Sequence, residues 1–295
     1  MIIANLRGGL GNQMFIYAFG KYLAQKHNTE LKLDNSYYED YHRVYELNKL
    51  GIKEKFASQS EIEKLKVFKY KDILPIRFIK SKILGKESKK VPASSYILDS
   101  DINFRKKYLK LPDNVYLDGL FQSEKFFRGI KDILRQDFQL KNELDQANKS
   151  FLEKIKTSNS VSLHIRRGDY ITNSWAMKEL GVCSIEYYKK SIDYIGSKIE
   201  SPVFFVFSDD LEWVKNNFDI KQPCVYVDCN DGNTGEKDLE LMKNCKHHIC
   251  ANSSFSWWGA WLGEEVNTIN IVPEKWFKGE YFNDKYLIPD RWVKL

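Results

Sequence analysis

Cysteine is scarce in this sequence, and its spacing argues against both a disulfide framework and a zinc finger. The 295 residues contain five cysteines, an odd number, and no two of them form a Cys-x-x-Cys pair. The cluster Cys245-Lys246-His247-His248-Ile249-Cys250 has residue types that bind zinc, but its spacing matches no common finger. We therefore expect reduced thiols, which are usual in cytoplasmic proteins, and no metal at this cluster.

Long apolar runs are lacking as well. No segment reaches the roughly 18 uninterrupted apolar residues of a membrane-spanning helix. The first residues show neither the basic region nor the apolar region of a secretory signal. We expect a cytoplasmic protein, with peripheral contact at the inner face of the membrane as its closest association with lipid.

The charge excess is small. The 46 Lys and Arg residues against 40 Asp and Glu give a net charge of +6, which suits an anionic ligand and is too weak to indicate nucleic acid. A basic stretch at residues 76–90 fits either a membrane-surface helix or a solvated loop. We favour the loop because the stretch is short and Gly85 interrupts it.

Apolar and aromatic residues, at 43% and 14%, are plentiful enough for a substantial core. In the second half, strand-like apolar segments alternate with helical segments, which predicts an α/β fold with a doubly wound parallel sheet. Strands are expected at 161–165, 202–207, 225–227, 249–251 and 269–272, and helices at 185–199, 211–217, 237–244 and 255–262.

The first half is less regular. Strands are expected at 2–6, 30–33 and 115–117, and helices at 14–26, at 123–134 with Ser123 as N-cap, and at 143–159. A polar linker follows the last of these helices. We therefore place a domain boundary near residue 155, which divides the chain into residues 1–155 and 156–295.

The motif RGGLGNQM follows the first strand and precedes a helix, which is the context of a dinucleotide-binding loop. Gly9 and Gly11 have the spacing of the first two glycines of that fingerprint, but Met14 occupies the place of the third. Two other interpretations stay open. The turn simply needs glycines, or the glycines let the backbone approach a substrate closely while Asn12 and Gln13 present their amides to it.

Two arginines directly follow the buried strand that leads into HIRRGDY. Ligands of open parallel sheets bind at the carboxyl ends of the strands, and the planar fork of arginine suits phosphate. Strand alternation predicts that Arg166 shares a side with His164, while Arg167 pairs with Asp169 or supports the loop. The alternative is an ion-pair cluster on the surface.

A second anion site is expected where a strand ends and a helix begins within ANSSFSWWGAWL. Free backbone N–H groups and serine hydroxyls at a helix N-terminus bind anions, although serines there also serve simply as caps. The helical spacing of Trp257, Trp258 and Trp261 predicts that at least two of them are core residues.

The run Ser208-Asp209-Asp210 is the strongest candidate for a divalent metal. It also fits the start of a helix capped by Ser208 or Asp209, and we favour the cap. The sequence thus offers arginines and a helix N-terminus to neutralise a diphosphate. We expect no metal and no cofactor.

Four segments in this order resemble glycosyltransferase family 11, the bacterial α-1,2-fucosyltransferases. They are GGLGNQMF, DGLFQSEKFF, HIRRGDY, and the run from Asp238 through CANSSFSWWGAWL. The resemblance covers both halves of the chain and leaves only about residues 40–110 unplaced.

The resemblance implies a GT-B architecture, in which two Rossmann-like lobes face a central cleft. Residues 1–155 would form the acceptor-side lobe and residues 156–295 the lobe that binds GDP-β-L-fucose. It implies an inverting transfer of L-fucose to the 2-hydroxyl of a terminal galactose in surface-glycan (O-antigen) synthesis. The acceptor would be a β-galactoside, free or lipid-linked.

The resemblance also implies roles for single residues. Arg166 is expected to bind the diphosphate and to be the main catalytic residue, with Asp169 as base or structural partner. Asp238 is expected to bind guanine, because a carboxylate can accept two hydrogen bonds from that base. The donor-binding set is His164, Arg166, Arg167, Asp238, Asn252, Ser253, Ser254 and Phe255. The loop of the first lobe that reaches the cleft contains Gly11, Asn12 and Gln13.

Two other functions stay open at this stage. A nicotinamide-dependent oxidoreductase would explain the first glycine-rich turn. A galactoside-binding protein without catalytic activity would have the same kind of acceptor site as the transferase.

Overall fold

The computed structural model describes residues 1–39, 43–66 and 95–295. The basic stretch at 76–90 lies outside these residues. No helix within the described ranges is both long enough and apolar enough to cross a membrane.

The first sheet consists of four parallel strands. One of its two internal strands, β1 (Ile2–Asn5), is buried along its whole length and apolar up to Asn5, as expected for a strand covered on both faces. Helix α1 (Leu10–His27) returns the chain from β1 to β2 (Leu31–Asp34), and α2 (Gln59–Leu65) begins at a capping box formed by Ser58 and Glu61. The strands are β1 (Ile2–Asn5), β2 (Leu31–Asp34), β3 (Tyr96–Asp99) and β4 (Val115–Gly119), in the spatial order β2-β1-β4-β3.

The second sheet has six parallel strands in the order β7-β6-β5-β8-β9-β10, which is the strand order of a dinucleotide-binding Rossmann sheet. The strands are β5 (Asn159–Ile165), β6 (Pro202–Ser208), β7 (Cys224–Tyr226), β8 (His247–Ile249), β9 (Asn270–Val272) and β10 (Val293–Lys294). The helices between them are α5 (Gly168–Thr172), α6 (Ser174–Glu179), α7 (Ile185–Gly196), α8 (Leu211–Asn217), α9 (Gly235–Lys243) and α10 (Ser254–Gly263). The predicted α/β class with two parallel sheets is confirmed; β3 and β10 were not predicted.

The single helix predicted from Ser123 to residue 134 is wrong. Ser123 caps only a 3-10 turn at Glu124–Phe126, and helix α3 begins later, at Lys131–Asp137. Phe126 and Phe127 are both buried in the core. Neighbouring residues of a regular helix point about 100° apart, so the break lets both rings face inward.

Helix α4 (Gln146–Lys156) lies just before the predicted domain boundary. It packs against α9 and β5, and its Ile155 shares an apolar cluster with Leu241 and Met242. This helix therefore packs on elements of the second sheet, although the prediction assigned it to the first lobe.

Helix α10 joins the two halves. Its three tryptophans are at most 2% exposed, which confirms the predicted core role. They pack with Phe15 and Phe127 in the core of the first sheet, although α10 follows a strand of the second. Each indole N–H has a partner: Trp257 donates to Leu287 O at 3.0 Å, Trp258 to Gly11 O at 3.0 Å and Trp261 to Glu124 Oε2 at 3.2 Å.

Candidate functional site

The candidate site lies where strand order reverses in the second sheet. Strands β5 and β8 are neighbours. From β5 the chain continues toward one edge of the sheet, and from β8 it continues toward the other edge. Arg166 follows the end of β5, and Ser253 follows shortly after the end of β8. The crevice between such strand ends is where open α/β sheets bind ligands.

The first sheet presents its own reversal point, between β1 and β4. The RGGLGNQM motif follows β1, and the segment Leu120-Phe121-Gln122 follows β4. The two loops meet where Gln122 Nε2 donates a hydrogen bond to Asn12 Oδ1 at 2.7 Å. Gly8 has a φ of +72°, a backbone conformation that favours glycine. The amide of Asn12 is thus oriented by a neighbour and stays partly exposed.

Gly11 brings the two lobes into direct contact. A Cβ atom at this position would lie 2.6 Å from the backbone nitrogen of Phe255 and 2.6 Å from the carbonyl carbon of Ser254. Only glycine leaves room for this approach. The glycine-rich turn therefore does approach another group closely, and that group is the start of α10. Its approach to a substrate stays a prediction.

Arg166 is held by two carboxylates. Its Nη2 lies 2.6 Å from Asp169 Oδ1, and its Nη1 lies 3.0 Å from Asp209 Oδ2. The side chain is 22% exposed. His164 lies nearby with its ring centroid 5.8 Å from that of Phe255. Burial, together with the charge of Arg166, lowers the pKa of His164 to about 3, so this imidazole is neutral at physiological pH.

Arg167 supports the loop and does not pair with Asp169. Its Nε lies 3.1 Å from Asp210 Oδ2, and its guanidinium stacks on the ring of Trp213 at 3.4 Å. Its backbone N–H donates to Asp209 Oδ1 at 2.9 Å. Arg167 therefore orders the turn beneath Arg166, and the pairing with Asp169 is corrected.

The Ser208-Asp209-Asp210 run is a helix start, with the cap one residue later than predicted. Asp210 accepts from the backbone N–H of Trp213 and so caps α8. Asp209 is unavailable as a cap because its oxygens contact Arg166 and the Arg167 N–H.

A residue that sequence reasoning missed enters from the other lobe. Arg43 Nη2 contacts Asp169 Oδ2, opposite the oxygen bound by Arg166. Burial works against ionisation of Asp169, but Arg166 and Arg43 outweigh it and lower its pKa. An ionised carboxylate with both oxygens in ion pairs is better suited to anchoring side chains than to removing a proton.

Hydrogen bonds of Gln13 hold the loop that carries Arg43. This residue is fully buried, donates to Val44 O at 2.9 Å and to Gly8 O at 3.0 Å, and accepts from Glu46 N at 2.8 Å. The expectation that Gln13 presents its amide to a ligand is therefore corrected, because backbone groups already occupy that amide.

Asn252 is also internal. It is 5% exposed, and its Nδ2 donates to Leu180 O and Gly181 O at 3.0 Å and to Trp276 O at 3.2 Å. These bonds hold the loop after α6, so Asn252 shapes the site without facing it. Ser253 caps α10 by accepting from Phe255 N at 3.3 Å. Ser254 and Phe255 remain partly exposed at the helix N-terminus.

Asp238 lies in the first turn of α9. Burial raises its pKa to about 6, with Glu236 adding to the effect, while a hydrogen bond from Asn230 opposes it. Asn230 Nδ2 is 2.7 Å from Asp238 Oδ1, and Asn148 in turn holds Asn230. Phe255 brings α10 next to the start of α9, because a Cβ at Gly235 would lie 3.7 Å from its ring. Neither asparagine was predicted, since Asn230 looks like an ordinary loop residue and Asn148 like an ordinary residue of the first turn of α4.

Within residues 1–39, 43–66 and 95–295, no three His, Cys, Asp or Glu side chains come together in a way that could hold a metal ion. Cys245 and Cys250 are both buried, at most 2% exposed. His248 Nδ1 pairs with Ser162 Oγ at 2.8 Å.

Sequence comparisons place the whole chain in one group. The family model described as Glycosyl transferase family 11 matches residues 1–295. The chain is 38% identical to an alpha-1,2-colitosyltransferase of Escherichia coli, an alignment that covers 100% of this chain and 99% of the relative. It is 36% identical to the O-antigen biosynthesis glycosyltransferase WbnK of the same species, covering 98% and 99%. Human galactoside alpha-(1,2)-fucosyltransferase 1 is 29% identical over 61% of this chain and 52% of the relative.

Solved structures agree on the fold. Fucosyltransferase NodZ from Bradyrhizobium superposes with a TM-score of 0.51 at 12% identity, covering 88% of this chain and 91% of that one. A mutant of Arabidopsis thaliana FUT1 in complex with GDP gives 0.52 at 8% identity, covering 92% and 70%. At these identities the likeness concerns the fold, and it agrees with the predicted GT-B arrangement.

The Gly11 contact makes a stability prediction. Gly11→Ala should lower the free energy of unfolding by about 1–3 kcal/mol, because the added methyl group meets backbone atoms that cannot move aside cheaply. Urea unfolding followed by circular dichroism measures this. Gly129→Ala is the matched control, since a Cβ there meets nothing within 4 Å. Equal midpoints for the two variants would contradict the tight inter-lobe approach.

Proposed function

This chain belongs to glycosyltransferase family 11, and we propose that it transfers L-fucose from GDP-β-L-fucose to the 2-hydroxyl of a terminal galactose, with inversion. The observation that carries the proposal is one arrangement at the reversal point of the second sheet. Arg166 and the N-terminus of α10 lie at adjacent strand ends, and Phe255 of α10 lies beside Gly235, at the start of the helix α9 that carries Asp238. An anion site beside a buried carboxylate suits a diphosphate joined to guanine.

The chemistry follows from charge. As the bond between the sugar anomeric carbon and the diphosphate oxygen breaks, negative charge grows on the diphosphate. The guanidinium of Arg166 and the N–H groups of α10 stabilise that charge, which is the kind of fixed electrostatic stabilisation that lowers such barriers most. The acceptor oxygen bonds to the anomeric carbon from the opposite face as the bond to the diphosphate oxygen breaks, which inverts that carbon, and the proton of the acceptor hydroxyl passes to solvent water.

Asp169 enters this proposal as an anchor for the arginines and not as the base. Its carboxylate is ionised and bonded to Arg166 and Arg43. If Asp169 took up a proton, both of its ion pairs would weaken. The arginines would then be less well held at the moment when they must stabilise the diphosphate. Stabilisation of the leaving group is therefore the main source of catalysis in this mechanism, without metal or cofactor.

The acceptor lobe and cellular role rest on the relatives. The likeness to WbnK supports a role in O-antigen synthesis. We propose that the transfer takes place at the inner face of the membrane, with a free or lipid-linked β-galactoside as acceptor. Asn12, oriented by Gln122, is the described amide of the first motif that remains partly exposed for a substrate.

A second candidate is transfer of colitose in place of fucose. It is supported by the 38% identity, over the full length, to an alpha-1,2-colitosyltransferase. A site that hydrogen-bonds a particular hydroxyl group of the donor sugar discriminates against a sugar that lacks this group. The preference for one donor over the other can therefore be measured.

The oxidoreductase interpretation does not survive. Met14 is fully buried where the dinucleotide fingerprint needs its third glycine. Dinucleotide sites also use an acidic residue about 20 residues after the glycines to bind the ribose. Asp34, which is near that place in the sequence, is 2% exposed and accepts from the Tyr116 hydroxyl at 2.6 Å. The galactoside-binding interpretation gives way to membership of an enzyme family.

A donor and acceptor panel tests the proposal. The protein is incubated with GDP-fucose, GDP-colitose or UDP-galactose and with simple β-galactosides, in EDTA, and products are analysed by mass spectrometry and linkage analysis. We expect an α-1,2-linked deoxyhexose on galactose from GDP-fucose. Preference for GDP-colitose would establish the second candidate, and a requirement for added Mg²⁺ would overturn the metal-free mechanism.

Arg166→Lys should lower kcat by about 10² or more, because lysine keeps the charge and loses the fork that binds a diphosphate. Steady-state kinetics with GDP-fucose measures this, and thermal unfolding checks the fold. Arg135→Lys serves as control for the loss of an arginine fork outside the site, because Arg135 donates to Glu264 O at 2.6 Å. Near-normal turnover of folded Arg166→Lys would exclude Arg166 from catalysis.

Guanosine affinity should depend on pH through Asp238. Only the ionised carboxylate accepts two hydrogen bonds, and its pKa is raised to about 6. Affinity should therefore be full above pH 6 and fall by about tenfold per pH unit below it. Guanosine is used because it carries no phosphate that titrates in this range. In Asp238→Asn the affinity should be weak and independent of pH; a flat profile in the wild type would refute the role of Asp238.

A further inference from the structure

The ion pair between Arg43 and Asp169 has no explanation in the fold of either lobe. Arg43 belongs to the loop after β2, and Asp169 belongs to the turn after β5. The two side chains are 34% and 40% exposed, so the pair lies in the open cleft and not in the packed interface around α10. An exposed ion pair contributes little to stability, which points to a role in the site.

Arg166 and Arg43 form an anion-binding pair, and the anion between them is the carboxylate of Asp169. Arg166 bonds one oxygen of Asp169, and Arg43 bonds the other. Two guanidinium groups that converge on one anion from opposite lobes are the geometry with which arginines bind phosphate groups.

Charge balance shows why one arginine is insufficient. Arg166 faces two carboxylates, Asp169 and Asp209, while Arg167 is paired with Asp210. Without Arg43 this group would carry one net negative charge and would repel a diphosphate. With Arg43 the group has no net charge. The partial positive charge at the N-terminus of α10 then makes the local field favourable for an anion.

Hydrogen bonds to the start of α1 fix the position of the loop that carries Arg43. The residues that follow it are fixed to the start of α1: Gln13 bonds Val44 and Glu46, and Glu46 Oε2 accepts from Leu10 N at 3.0 Å. Arg43 Nη1 also lies 3.7 Å from where a Cβ at Gly9 would be, so the glycine-rich turn passes directly beside the guanidinium.

We propose that Arg43 is a second diphosphate-binding arginine, which the first lobe contributes across the cleft, and that Asp169 holds it in place until the donor binds. The inference rests on the proposed use of a GDP-sugar. It assigns to the acceptor-side lobe a direct contact with the donor and gives Asp169 the role of a counter-ion for both arginines.

Calorimetry with GDP and with guanosine tests this on the full-length protein. Arg43→Gln should weaken GDP binding by about tenfold or more, the effect of losing a hydrogen-bonded charge, and leave guanosine binding within about twofold. Arg43→Lys should give an intermediate GDP affinity, because it keeps the charge without the fork. Arg135→Gln, which removes an arginine outside the site, should change neither affinity.

The outcomes separate the possibilities. Equal GDP affinity in Arg43→Gln and wild type overturns the inference and leaves the proposed function intact. A parallel loss of GDP and guanosine binding also overturns it, because it would make Arg43 a structural residue only. Failure of the wild type to bind GDP would overturn the proposed function itself. Unfolding temperatures of all variants show that each comparison is made on folded protein.

Discussion

The packing of α10 into the core of the first sheet is the constraint on which the site depends. This helix begins at the strand end that binds the donor in our proposal and buries three tryptophans in the other lobe. The hydrogen bond from Trp258 to Gly11 O ties it to the start of α1. The N-termini of two helices, one from each lobe, are thereby held in contact. The base of the cleft is rigid because its covering residues belong to a hydrophobic core.

Above this rigid base, charge decides the chemistry. Carboxylates hold both arginines of the HIRRGDY turn: Arg166 contacts Asp169 and Asp209, and Arg167 contacts Asp210. Arg43, which also contacts Asp169, balances the third carboxylate. A site that is almost neutral before the donor arrives costs less to desolvate than a cluster of bare cations. Arginines already fixed by carboxylates also need less reorganisation when charge develops on a leaving diphosphate.

Local patterns predicted a large share of this structure. Continuous apolar strands and the glycine, serine and arginine motifs at their ends indicated two parallel sheets with a site at the carboxyl edges, because strand burial and helix capping are local properties. The same patterns failed for Gln13 and Asn252. An amide near a motif has the same appearance in sequence whether it bonds a ligand or the backbone, and only the surrounding loops decide between these.

By itself, then, the sequence determined the class of fold, the strand ends that carry the site and the burial of the tryptophans, since periodicity and residue type dictate each of these over a few positions. Only the tertiary structure decided which charges meet. Arg43 and Asp169 are 126 residues apart in the chain, and no local pattern relates them. Their contact exists because α10 docks one lobe against the other, and such long-range packing depends on the shape of both cores together.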